Sequence, residues 1–323
     1  MPRRRSFLAA ALLAMLAAML AAMLPRAWAA EPARLVLGTA TPGGGFPAYG
    51  EALAAAVAEV DPALTLELRP TRGSTENLAL LKAGALDLAL VQGEYAYEAL
   101  SVAGDRAALP TVVAPIDAAP GLFVVPAASP VRRIADLQGR PVALGTHSSG
   151  LTVMGRLVLR GSGLDPERDI RPVLLDRAGD GPAMLRDGRA DALWGGGVGW
   201  PGFRTMAAEP GGARFFGPEP GAIPAILALS PSLRRMRVPA GTFGQAEAIE
   251  TVGSWSFILA RPGLEPAAVT RLVRAIAAGR EGLARRFVLG AGSDPRNLVE
   301  AVPAAWLHPA TAAFLGEAGR APQ

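Results

Sequence analysis

LKAGALDLAL, residues 81–90, ends a helical pattern at Leu81-Lys82 and turns at Gly84. It then enters an apolar run that reads as a buried strand, Ala85 to Val91. LRDGRADALW, residues 185–194, repeats that grammar, with Gly188 in place of Gly84 and Asp191 in place of Asp87. Outward from this pair the correspondence continues. Leu37-Gly38-Thr39 matches Leu144-Gly145-Thr146, Arg72 matches Arg177, and the offset stays near 105 residues. Several pairs in one register point to two similar α/β lobes.

The elements fit that reading. In the first half, Arg34 to Gly38 and Leu64 to Leu68 read as strands. Phe46 to Val60 and Thr75 to Ala83 read as helices, the second with Ser74 as its N-cap. In the second half, the strands are Val142 to Leu144, Ile170 to Leu175 and Ala190 to Trp194. The helices there are Leu151 to Arg160 and Pro182 to Asp187. Leu109 to Pro126 suits a crossover between lobes, and the loop-rich stretch Pro218 to Pro224 suits the return. Val252 to Ala260 then reads as a strand and Pro266 to Ala278 as an amphipathic helix. The fold class expected is α/β, a two-lobed periplasmic binding protein type II fold with a hinge and a central cleft. Residues 30–117 and 224–323 would form lobe I, and 118–223 lobe II.

Composition narrows the function. With 323 residues and half of them hydrophobic, the chain can bury a large core, so disorder is excluded. It has no cysteine, which removes disulfides, thiolate metal sites and cysteine nucleophiles. Lys82 is its lone lysine and precedes Ala83, so no P-loop is present. Arg3 to Arg5, the apolar run Phe7 to Leu24 and the small residues Ala27-Trp28-Ala29 read as a signal peptide over residues 1–29, cleaved near Ala29. Arg4-Arg5-Ser6-Phe7-Leu8 also fits a twin-arginine signal, and an uncleaved membrane anchor is the competing reading. Cleavage leaves 28 basic and 28 acidic residues, hence no electrostatic case for nucleic acid. A periplasmic protein, acting as a monomer, is expected.

Four strand-end loops carry the candidate site: Thr39 to Gly45, Arg72 to Asn77, Gly145 to Thr152 and Gly195 to Trp200. Their Gly, Ser and Thr residues at helix starts offer backbone N–H groups and hydroxyls to a small anion. Arg72 and Arg177 are candidate carboxylate forks, with solvated arginines as the alternative. Trp194 and Trp200 would wall an apolar part of the ligand, with core packing as the alternative, and Asn77 and Gln92 can donate and accept at once. Gly197-Val198-Gly199-Trp200-Pro201-Gly202 matches a dinucleotide fingerprint, but Trp200 and Pro201 block close approach of a pyrophosphate. Thr146-His147-Ser148-Ser149-Gly150 resembles a nucleophile elbow. With His308 it makes an exported serine hydrolase the reading from another class. No His/Asp/Glu run has metal-ligand spacing, and no cofactor is expected.

The motifs resemble the TAXI solute receptors of tripartite ATP-independent periplasmic (TRAP) transporters. LGTATPGGGFPAYGEALA (37–54) and RGSTENLALLKAGALDLALVQGEYAYEAL (72–100) carry most of the likeness, the second being the more specific. IADLQGRPVALGTHSSG (134–150), DGRADALWGGGVGWP (187–201) and HPATAAFLGEAG (308–319) follow in the family's order. The resemblance implies a non-enzymatic receptor that closes on a small carboxylate or amino acid and docks on a TRAP membrane permease driven by an ion gradient. It places ligand contacts on Thr41, Gly44, Gly45 and Phe46, on Ser74, Asn77 and Gln92, and on Ser148, Ser149, Thr152 and Trp200. The chain departs from the family at Phe46-Pro47-Ala48 and at Trp200, which leaves room for an acid larger or less polar than glutamate. An ABC-type or sensor-linked receptor of the same fold is the alternative partner reading.

Overall fold

The computed structural model describes residues 31–288 and 290–319. The signal peptide expected over residues 1–29 lies outside them. Two half-sheets, joined by two long shared strands, make the framework.

In the first half, β1 (Ala33–Gly38) runs parallel to β2 (Leu64–Arg69) and β3 (Leu88–Gln92). The connections carry α1 (Gly45–Val60) and α2 (Ser74–Lys82). The stripe Tyr49, Ala52, Leu53, Ala56, Val57 is buried, the spacing that gives a helix one apolar face. All five residues of β3 are buried, as expected for a parallel strand covered on both sides. α3 (Gly93–Leu100) follows directly, and β4 (Thr111–Pro126) leaves for the second half.

There β5 (Pro141–Thr146) runs parallel to β6 (Arg171–Leu175) and β7 (Ala192–Gly196), with α4 (Gly150–Gly161) and α5 (Gly181–Arg186) between them. α6 (Pro201–Ala207), β8 (Ala213–Phe216) and β9 (Leu233–Val238) precede the second long strand, β10 (Ile249–Ala260). The longer helices after it are α7 (Pro266–Ala278), α8 (Arg280–Arg286) and α9 (Pro309–Ala318). Among the described residues no helix is long and apolar enough to cross a membrane.

The internal repeat is visible atom by atom. Gly84 and Gly188 both close their helices at φ +68°, a left-handed conformation that L side chains rarely adopt. The next aspartates make matching contacts. Asp87 N–H donates to Val36 O (3.1 Å) and its carboxylate pairs with Arg261 (3.1 Å). Asp191 N–H donates to Pro141 O (2.8 Å) and its carboxylate pairs with Arg140 (2.9 Å).

The two long strands form the hinge. β4 pairs with β10 from Thr111 to Pro120, then with β7 and β8 from Gly121 onward. β10 pairs with β9 up to Ser254 and with β3 from Ser256. At the crossing, a Cβ on Gly253 would sit 2.3 Å from Ala119 O, so only glycine lets the strands approach there. We propose from the packing that the return comes later than residue 224. Ile223, Ile226, Leu233 and Val252 share a core with Phe123 and Trp194 of the second half. Phe257, Leu259 and Ala260 belong to first-half clusters. We therefore place the boundary within β10, near Gly253.

Candidate functional site

Between the lobes lies a cavity of about 120 Å³. Five helices begin at its wall. Their N-cap residues, Gly44 (α1), Gly73 (α2), Gln92 (α3), Ser149 (α4) and Trp200 (α6), all line it. The starts of α1 to α4 present N–H groups with no partner inside the helix, whereas α6 opens on Pro201, which has no N–H. Only α4 is capped by a side chain, Leu151 N–H donating to Ser149 Oγ at 3.2 Å; the other four have no side-chain cap. The partial positive charges of four helix ends therefore meet in one space.

Side chains reinforce that sign. Among the described residues no Asp or Glu lines the cavity, and Arg72 is its sole charged wall residue. Hydroxyls come from Thr41, Ser74, Thr146, Ser149 and Ser256. Gln92 is buried, and its amide Nε2 has no partner, an orphan donor at the wall. Opposite these groups stand Phe46, Tyr49, Ile116, Trp194, Trp200 and Phe287, a largely apolar surface. Such a site holds an anionic head against helix ends and an apolar body against rings. The cavity is a little smaller than the about 150 Å³ that holds benzene, so it suits a small ligand.

The lobes are closed over it. Trp200 Nε1 donates to Gly43 O (3.1 Å), and Ala178 N–H donates to Thr41 Oγ1 (3.2 Å). A Cβ on Gly43 would lie 2.5 Å from Gly179 Cα, so the two glycine loops touch backbone to backbone. Across the cleft, Thr75 N–H and Oγ1 reach Ser148 O at 3.5 and 3.4 Å.

Ten of the fourteen residues expected from sequence stand in the wall: Thr41, Gly44, Gly45, Phe46, Arg72, Ser74, Gln92, Ser149, Trp194 and Trp200. The other four do not. Asn77 is buried behind the first loop, where Nδ2 donates to Thr39 O and Leu90 O, both at 2.8 Å, tying β1 to β3. Thr152 Oγ1 donates to Thr146 O (2.7 Å) and Leu144 O (3.2 Å), holding the loop before α4. Ser148 lies on the closing seam. Arg177 points to solvent and pairs with Asp180 (3.1 Å), just as Arg72 pairs with Glu76 (3.3 Å). Both arginines are captured by the acid one helical turn on, so neither is a free fork; Arg72 reaches the wall with a side chain 78% exposed. Ser74 is the first residue of its helix rather than the cap, and its Oγ accepts Gln92 N–H (3.1 Å). Tyr49, Ile116, Ala119, Ser256 and Phe287 were not anticipated as wall residues.

The hydrolase constellation does not assemble. His308 Nδ1 accepts Ala310 N–H (3.1 Å), which leaves Nε2 to donate to Leu264 O (3.1 Å). Burial pushes its pKa down, and both nitrogens are committed as the cap of α9. It offers no base to Ser148. The dinucleotide-like run ends in a seven-residue helix, its tryptophan locked to Gly43.

Two lobes, two shared strands and a closed cleft define the two-lobed fold of the periplasmic binding protein type II class. The chain matches the NMT1-like family over residues 37–319 and belongs to it. Solved structures match the chain at low identity, and the first two below share its fold. MatC (Rpa3494) from Rhodopseudomonas palustris with bound malate is 17% identical over 88% of this chain and 96% of its own, with a TM-score of 0.58. A cysteine-to-serine mutant of OxyR from Corynebacterium glutamicum, bound to H2O2, is 13% identical over 90% and 77%, with a TM-score of 0.54. The alkanesulfonate-binding protein SsuA from Xanthomonas axonopodis pv. citri, bound to MOPS, is 18% identical over 88% and 84%, with a TM-score of 0.47. Among curated proteins none matches this chain.

Proposed function

We propose that this protein is a periplasmic receptor that closes on a small organic anion with an apolar body and delivers it to a TRAP-type membrane permease. One observation carries the ligand class: four helix N-termini and an orphan Gln92 amide face a cavity in whose wall no described residue is a carboxylate. Placing a negative head there satisfies donors that otherwise stay desolvated. Thr41, Gly44, Gly45, Ser74, Gln92 and Ser149 would hold the head, with Arg72 at the edge. Phe46, Trp194 and Trp200 would pack the body. The malate bound to MatC supports a carboxylate of this size. The TRAP partner rests on the resemblance of residues 37–54 and 72–100 to TAXI receptors.

Binding is closure. Thr41 and Trp200 belong to different lobes and meet the ligand together only when the cleft shuts, so ligand shifts an open–closed equilibrium. No reacting group enters the scheme, and the ligand leaves unchanged.

The test is thermal unfolding of the mature chain (residues 30 onward) against a panel of mono- and dicarboxylates and amino acids. Ligand at about a thousand times its Kd adds roughly 4 kcal/mol, and each kcal/mol raises Tm by about 2 °C at this size. A shift near 8 °C for one acid, recovered intact, is expected. No shift for any acid would refute the ligand class. Uptake of the same acid by cells should collapse with the ion gradient; uptake that survives its collapse would refute the TRAP partner.

A further inference from the structure

Outside the closing seam lies a second depression, a groove of about 620 Å³ with one bank from each lobe. Val198, Arg204 and Phe243 come from the second lobe, and Arg285, Arg286 and Val288 from the first. The banks meet where a Cβ on Gly199 would lie 3.5 Å from the Phe287 ring and 3.7 Å from Val288 Cβ. Chain neighbours alternate across this seam. Gly197 and Phe287 face the ligand cavity, while Val198 and Val288 face the groove. The groove thus exists as one surface only while the lobes are shut, and its floor is the outer side of the ligand's own wall.

Its chemistry is specific. Three arginines line it and, among the described residues, no acidic side chain does. Arg286 is held by Glu59 and donates to Gly282 O (3.0 Å). Among the described residues, Arg204 and Arg285 have no ion-pair partner, although most of the described arginines do. Val288 is 63% exposed beside them, an apolar side chain left in water next to uncompensated charge. Two free guanidiniums flanking an exposed valine and the half-buried Phe243 complement an acidic segment that carries an apolar residue.

We infer that this groove is the surface by which the closed receptor is recognised, and that it takes an acidic, apolar-tipped segment of an integral membrane protein. The inference rests on the proposed receptor function and adds to it a location and a chemistry. A permease that reads a surface made by both lobes engages the loaded form and ignores the open one.

The experiment places the photocrosslinker p-benzoylphenylalanine at Ala207, exposed on the second-lobe bank, in the full chain expressed in its source organism. The same substitution at Val102, exposed on the first lobe and not part of the groove, is the control. Expected is a crosslink from residue 207 to an integral membrane protein, mapping by mass spectrometry to a segment containing Asp or Glu. Arg204→Glu with Arg285→Glu should cut its yield at least tenfold while leaving the ligand-induced rise in Tm unchanged. Lysine in place of the partner's mapped acid should restore it. A crosslink that survives the charge reversal, one to a second copy or to a soluble protein, or none above the residue 102 control would overturn the proposal. The Tm measurement on the same protein separates the cases, because a lost ligand response sinks the receptor reading itself.

Discussion

Closure of the lobes can be made covalent. The chain has no cysteine, so Gly199→Cys with Val288→Cys creates one pair and no competitor. The Cβ positions are 3.7 Å apart, inside the 3.5–4.5 Å range of a relaxed disulfide. Gly199 does not use a left-handed backbone, its nearest side-chain contact would be the Phe287 ring at 3.5 Å, and Val288 is already exposed. The double variant should therefore fold. Oxidation closes a loop of about 90 residues, for which chain entropy gives a ceiling of about 4.5 kcal/mol. At about 2 °C per kcal/mol the oxidised form should melt up to roughly 9 °C above its reduced form. The functional reading is sharper. Oxidised in the presence of ligand, the protein should retain it through dialysis; oxidised without ligand, it should take up none until a reductant is added. Free-thiol titration, calorimetric melting and ligand exchange report the three outcomes. Two thiols that stay free after oxidation, or ligand exchange as fast in the oxidised as in the reduced protein, would refute the closed geometry.

Three further perturbations follow from named contacts. Glu94 is buried beside the hinge, hydrogen-bonded by Ser254 Oγ (3.1 Å), and burial pushes its pKa up to about 7. The folded state thus holds a proton the unfolded chain releases near 4.5, so stability is complete at low pH and lost as pH rises through about 7. Glu94→Gln should match the wild type at pH 4 and exceed it by roughly 6 °C in Tm at pH 8, about 3 kcal/mol; an equal gap at both pH values would contradict this. Trp200→Phe keeps the ring packing and removes the interlobe bond to Gly43 O, worth about 1 kcal/mol. Titration calorimetry should show about fivefold weaker ligand binding, and unaltered affinity would remove Trp200 from the closing mechanism. Asn77→Ala should cost about 1–3 kcal/mol in urea unfolding, because Leu90 O loses its amide donor behind the loop while Thr39 O keeps only the Thr71 hydroxyl (3.1 Å). A variant as stable as wild type but blind to ligand would return Asn77 to the binding site.

The two-lobed fold was legible because the chain states it twice. Gly84 and Gly188 need the same left-handed turn, and Asp87 and Asp191 brace the same strand start, so the constraints recur at one offset. Helix starts were legible as cavity walls for a related reason: strand ends in each half open onto the same cleft. Roles within those loops were not. Asn77, Thr152 and Ser74 all sit near the start of a helix, where a polar side chain can face a ligand or bind backbone. Spacing does not separate the two, since the carbonyls that claim Asn77 belong to β3 and to the loop after β1. The cavity floor was hidden for another reason. Ile116, Ala119 and Ser256 lie on the two crossing strands and Phe287 just beyond α8, and nothing local marks an apolar strand residue as facing a ligand. The lobe boundary we propose lies in β10 rather than at 224 because Ile223, Ile226 and Leu233 bury themselves against the second core.

The central claim is that the closed cavity selects a negative head at the helix ends. Isothermal titration of the acid giving the largest Tm shift, set against its own primary amide, tests it most directly. The two have the same shape and differ in charge and in the donors they require. At about 0.3–1 kcal/mol for each helix end that faces the charge, the acid should bind at least tenfold more tightly than the amide. Equal affinity of acid and amide, or preference for the amide, would contradict the account.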